Sequence, residues 1–253
     1  MSEIQSPLQF PVEIIENVIS DAWVLPLSAN ERITLITSSL LVNKTWMTLF
    51  TRVSSKDVYI PCASYAQQFL RMLREESPIY EKHLRAIPDQ FCRSLTFQVS
   101  NHNTSIRLFS NKYPMGDAIT NTLYAIQTLS YLPNLRRVSI QYNNWGFDDL
   151  LYHYRLIVFP PQVTEFELKY TYSHSIPPAL IKTLRSDYLP RECLRWSMPS
   201  VRHLAILGAG ESFVMHIMST FPNVETLVTD SPLHCDFMLP TIESGFDQLP
   251  YES

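Results

Sequence analysis

"LPNLRRVSIQYNN", residues 132–144, has a proline at its second position and then sets Leu135, Val138 and Ile140 in a run that ends at Asn143. Val138 and Ile140 alternate with polar residues, the period-two pattern of a strand with one buried face, and the leading proline marks a break before it. The phrase recurs. "CRSLTFQVS" begins at 92, "FPPQVTEFELKYT" at 159, "MPSVRHLAILGA" at 198 and "FPNVETLVTDS" at 221, with a shorter "KDVYIP" at 56. Aligned on the first strand-core position, the phrases fall at Val58, Leu95, Val138, Phe166, Leu204 and Leu227. Between them lie stretches with helical patterning: "SYAQQFLRMLREE" after the first, then 116–131, 148–157, 178–189 and 211–220. A short strand followed by a helix, repeated at intervals of roughly 23 to 43 residues, predicts an α/β chain with a short-stranded parallel sheet.

The spacing L-x-x-L-x-L-x-x-N is whole in Leu135, Val138, Ile140 and Asn143, and lacks its asparagine in Val163, Phe166, Leu168 and in Val201, Leu204, Ile206. Residues 56–238 therefore resemble an irregular leucine-rich-repeat solenoid. The alternative is an α/β domain whose parallel sheet happens to alternate strand and helix. Residues 239–253, "LPTIESGFDQLPYES", follow as a tail with no evident capping helix.

The first fifty residues have a different texture. Pro11 suits a first helical turn, where its missing N–H is no loss, and a helix over about 11–23 is expected, closed by Pro26. Ser28 three residues before Glu31 is a possible capping box for a helix through "RITLITSSLL". "VNKTWMTLF" then places Val42, Trp46 and Leu49 or Phe50 on one helical face. Ile14–Ile15 and Val18–Ile19 come as pairs, so the first helix has more apolar surface than one small partner helix needs.

Residues 8–53 resemble an F-box. Phe10, Pro11, Glu13, Ile14, Ile15, Val18 and Ile19 match the motif's first part, and "LLVNKTW" through Trp46 its second. Asn43 stands where the family usually has cysteine, and Phe10 where it usually has leucine. The resemblance implies a three-helix unit that docks on the Skp-type adaptor, and through it a cullin, with Phe10, Pro11, Ile14, Ile15, Val18, Val42 and Trp46 serving that interface or the core beneath it. An F-box joined to such repeats implies a substrate-recognition subunit of a Skp–cullin–F-box ubiquitin ligase. Two other readings remain at this level: an F-box protein acting outside ubiquitination, and a repeat-type interaction protein whose N-terminal helices merely cap the array.

Period-two alternation also predicts which strand residues face away from the core. That outward set is Arg137, Ser139 and Gln141, then Glu165, Glu167 and Lys169, then His203 and Ala205, then Thr226 and Val228. Arg137, Ser139, Gln141, Glu165, Glu167, Lys169 and His203 form the expected surface for an unknown target protein. The aromatic stretch Tyr142–Phe159, with Trp145, Phe147, Tyr152 and Tyr154, is either repeat core or a second place for a partner to anchor.

Other chemistry finds little purchase. A net charge of −4 and a pI near 6.0 argue against nucleic acid, and Arg136-Arg137 is thin support for RNA. Gly208-Ala-Gly210 lacks the rest of a nucleotide loop, and Ser212 in "GAGES" lacks G-x-S-x-G, so a cap at Glu211 or Ser212 is the simpler reading. His234-Cys235-Asp236 is contiguous, which suits one ion badly even with His203 or His216 added. No catalysis, cofactor or metal is expected. Cys62, Cys92, Cys193 and Cys235 are scattered, and no signal peptide or membrane span is evident, so reduced thiols in the cytoplasm or nucleus are expected. The sequons at Asn43 and Asn103 are then chance matches.

Overall fold

The computed structural model describes residues 11–74, 86–100, 114–145, 159–174, 176–186, 197–231 and 241–244. Those residues form an α/β fold. Its helices are α1 (Val12–Val24), α2 (Ala29–Ser39), α3 (Lys44–Ser54), α4 (Ala63–Leu73), α5 (Ala86–Phe91), α6 (Pro114–Thr128), α7 (Pro178–Ser186) and α8 (Glu211–Met218). Its strands are β1 (Asp57–Ile60), β2 (Ser94–Ser100), β3 (Arg137–Asn143), β4 (Glu165–Thr171), β5 (His203–Leu207), β6 (Thr226–Thr229) and β7 (Thr241–Ser244).

The seven strands make one sheet in chain order, and every neighbouring pair is parallel. Val58, Leu95, Val138, Phe166, Leu204 and Leu227 pair in a single row, the alignment that the recurring phrase predicted. One device repeats at each strand's entry. The carbonyls of Lys56, Arg93, Arg136, Thr164 and Arg202 each accept two backbone N–H groups from the start of the next strand, at 2.8 to 3.2 Å. Side-chain amides add a second tie. Asn134 Nδ2 donates to Gln90 O (2.7 Å), Gln162 Nε2 to Tyr131 O and Leu132 O (3.2 and 3.3 Å), and Asn223 Nδ2 to Pro199 O (2.8 Å). Each lies just after a phrase's proline and reaches back to the preceding phrase or the turn or helix before it, so the turn residues fix the stagger between neighbours.

The main core lies on one face of the sheet, under α4, α6 and α8. Leu95, Phe97, Val138, Ile140, Phe166, Leu168, Leu204 and Ile206 meet Phe69, Ile119, Leu123, Val214 and Ile217 there. Tyr142 stacks on Tyr170 at 4.9 Å, and Phe159 meets Phe166 edge-on at 5.6 Å, which puts both ends of the aromatic stretch in the core. Trp145 is half-buried against the same core, and its carbonyl accepts from the Tyr172 hydroxyl. Phe147, Tyr152, Tyr154 and the helix expected at 148–157 lie outside the described residues.

A second core belongs to α1–α3 and holds Ile19, Trp23, Ile36, Leu49, Phe50 and Val53. The Ser28–Glu31 capping box is formed, and the Ser28 hydroxyl and N–H hold the Glu31 carboxyl below its ordinary pKa. Asn43 Oδ1 accepts from Trp46 N at 2.8 Å, so the residue in the family's cysteine position caps α3. Arg32 is buried although charged. Its guanidinium donates to the carbonyls of Trp23 and Leu25 and lies over the Tyr59 ring, 3.9 Å from its centroid. Burial lowers its pKa from the ordinary guanidinium value.

Three expectations change, and one helix is new. Val42 lies in the turn before α3, because Asn43 starts the helix; it therefore stands 55% exposed and shares no helical face with Leu49 or Phe50. The cap of α8 is Gly210, without a side-chain bond, in place of Glu211 or Ser212. The sheet also runs past residue 238, since β7 pairs with β6 through Thr226–Thr241 to Thr229–Ser244. Helix α5, which no periodic pattern announced, carries the Asp89 carboxylate that accepts from Leu132 N at 2.7 Å.

Candidate docking surfaces

Helix α1 divides its apolar residues between two directions. Ile15, Ile19 and Trp23, spaced i, i+4, i+8, turn into the bundle core. Ile14 and Val18, also four apart, stand 49% and 52% exposed, and Val12 is exposed in the helix's first turn. Glu16 pairs with Arg52 and fixes α1 against α3. Leu41 and Val42 add exposed apolar surface at the turn between α2 and α3. Of the expected adaptor residues, Pro11, Ile14, Val18 and Val42 are open to solvent, while Ile15 and Trp46 are half-buried against the core. The Trp46 indole N–H is buried without an acceptor among the described residues. Phe10 lies outside the described residues.

The face of the sheet away from α4, α6 and α8 carries the predicted outward set. Register lines up Arg137, Glu165 and His203 in one row across β3, β4 and β5, and Ser139, Glu167 and Ala205 in the next outward row. The ion pair crosses the register diagonally: Arg137 Nη2 lies 2.8 Å from Glu167 Oε2. Glu167 is mostly covered, at 14% side-chain exposure, whereas Glu165 is exposed and has no ion pair or side-chain hydrogen bond among the described residues. Lys169 and His203 are exposed, and Gln141 is half-buried. A groove of about 150 Å³ opens over β3–β6, with Arg137, Glu165, Glu167 and His203 on its polar side and Ala205 and Val228 among its apolar lining.

Ser139 does not belong to that open strip. It is 1% exposed, and its hydroxyl has no partner among the described residues. A short side chain set between Thr96 and Glu167, next to the Arg137 that reaches across to Glu167, lies recessed below its neighbours. Over the first strands this face is occupied by the N-terminal bundle itself. Trp23 Nε1 donates to Asp57 O at 2.8 Å, Trp23 and Arg32 pack on Tyr59, and Gln98 Nε2 reaches Leu27 O at 3.4 Å.

Thiol and metal chemistry have few footholds in the described residues, which contain no group of three or more His, Cys, Asp or Glu able to hold a metal ion. His234, Cys235 and Asp236, like Cys193, lie outside them. Cys92 is fully buried, and burial, then the charge of Asp57, pushes its thiol pKa up. Alkylation at pH 8 with peptide mapping should therefore modify half-exposed Cys62 fully while Cys92 stays free until the chain is unfolded. Early labelling of Cys92 in the native protein would contradict this core packing. No described helix is long and apolar enough to cross a membrane.

Comparison with protein-family models, with curated proteins and with solved structures finds no match for this chain.

Proposed function

We propose that the chain is a non-catalytic substrate-recognition subunit of a Skp–cullin–F-box type ubiquitin ligase, working in the cytoplasm or nucleus. Residues 8–53 are its F-box, and the strands and helices from residue 56 onward are an irregular leucine-rich-repeat solenoid. The single observation that carries the reading is the split face of α1. A helix that already fills its core with Ile15, Ile19 and Trp23 has no internal use for exposed Ile14 and Val18, and exposed apolar patches mark partner sites. The register of five double-accepting carbonyls supports the repeat assignment, since each unit contacts its neighbours in the same way. The mechanism is scaffolding: one end holds the adaptor and its cullin, the other holds a target, and proximity raises the target's effective concentration.

A second reading has its own support. The bundle covers the open face of β1 through Trp23, Arg32 and Tyr59, as a capping unit of a repeat array would. Affinity purification of the full chain separates the two. Recovery of a Skp-type adaptor and a cullin supports the receptor; a chain that retains neither is an interaction protein with a helical cap. For the target surface, Glu165→Lys with Glu167→Lys should cut target capture at least tenfold, roughly the effect of losing one close charge pair, and leave adaptor capture unchanged. Unchanged levels of every co-purifying partner would move the target site to the region around Trp145.

A further inference from the structure

The groove over β3–β6 has a composition that selects among ligands, and this deepens the receptor reading on which it rests. Its volume of about 150 Å³ equals roughly five waters and falls below the approximately 300–1,000 Å³ of small-molecule and cofactor sites. That is room for a single long side chain. The apolar lining, Ala205 and Val228, adjoins a polar side where Arg137 is already committed to Glu167. Glu165 is left as the carboxylate without an ion pair among the described residues, so the side chains of Arg137, Glu165 and Glu167 sum to one net negative charge. A ligand that satisfies both parts has an apolar stem and a cationic end, which describes lysine or arginine and no other common side chain.

We infer that the groove is a recognition pocket for one basic side chain of the target protein, with Glu165 as its counter-ion and Ala205 and Val228 in contact with its methylenes. The occupant is a protein segment that displays a lysine or arginine. An acidic segment would place like charge against Glu165, and a purely apolar one would bury that carboxylate unpaired.

The test uses the ¹⁵N-labelled full chain titrated with capped arginine, lysine, norleucine and glutamate amides, followed by NMR. Arginine and lysine amides should shift the backbone signals of Glu165, His203, Ala205 and Val228, and norleucine and glutamate should bind at least about tenfold more weakly. Glu165→Gln should weaken the basic amides by a similar factor while leaving the spectrum of α1–α3 in place. Norleucine binding as well as arginine, a preference for glutamate, no shift at those four residues, or equal binding to the Gln variant would each overturn the inference. Adaptor capture is measured separately, so a groove that binds basic amides on a chain that ignores the adaptor removes the receptor reading alone.

Discussion

Ile14→Glu combined with Val18→Lys should weaken adaptor capture by at least about a hundredfold, with the melting temperature held within a degree or two. Burying each large aliphatic side chain at an interface is worth roughly 1.5–3 kcal/mol, and both are lost together. Stability should hold because neither residue is part of the bundle core. Solvent-facing substitutions usually stay within about 0.5 kcal/mol, and Glu four residues before Lys adds a small helix-stabilising pair. Ile19→Ala is the counter-example. Ile19 is 2% exposed in the bundle core, so its truncation should cost about 2–5 kcal/mol of stability and affect adaptor capture only through unfolding. Pull-down and thermal melts on the two variants separate surface from core. A folded double variant that captures adaptor at the original level would leave the split face of α1 without a function.

Gly208→Ala should be the most damaging small substitution in the sheet. Gly208 has φ +75°, a region that costs an L side chain roughly 1–2 kcal/mol, and its added Cβ would sit 2.1 Å from the Tyr170 carbonyl oxygen on β4. A backbone carbonyl inside a parallel ladder has little room to retreat. The same residue's N–H donates to both carboxylate oxygens of Asp230 at 2.9 Å, so moving the chain also breaks a tie to the end of β6. Together these predict a loss of about 4 kcal/mol or more, or roughly 10 °C in melting temperature. Gly210→Ala, two residues on, meets nothing within 4 Å and should cost under about 1 kcal/mol, the scale of a helix-cap change. Equal melting temperatures for the two variants would mean that the turn after β5 is not built as described.

What the sequence displayed was the local, periodic part of the structure. Val138 and Ile140 alternate because one face of β3 is buried, and the same phrase at 92, 159, 198 and 221 put the row from Val58 to Leu227 in register before any coordinates. Ser28 and Glu31 announced their own capping box. Alternation says which way a side chain points and nothing of what lies over it, which is why Ser139 looked open and is closed. Val42 was misplaced for a related reason: helical spacing alone did not weigh Asn43 as a start signal. Strand β7 holds a single apolar residue, Ile242, among its four, which leaves no alternation to read. The amides of Asn134, Gln162 and Asn223 had a visible cue, each directly following a proline in its phrase, but their acceptors are set by the stagger of neighbouring phrases.

The join between α3 and β1 is just Ser55 and Lys56, and across it Trp23, Arg32 and Tyr59 are locked together. On the proposed receptor reading, the chain has no tether to pay out. Where a flexible linker would let a captured target sample a cloud of positions, this chain sets α1 and the groove at one bearing and one reach, like the two jaws of a fixed gauge. Which lysine of a target comes within range of the ligase would then follow from geometry. Glycines and serines inserted between Ser55 and Lys56 would widen that choice only together with a change such as Tyr59→Ala that releases the Trp23 and Arg32 packing.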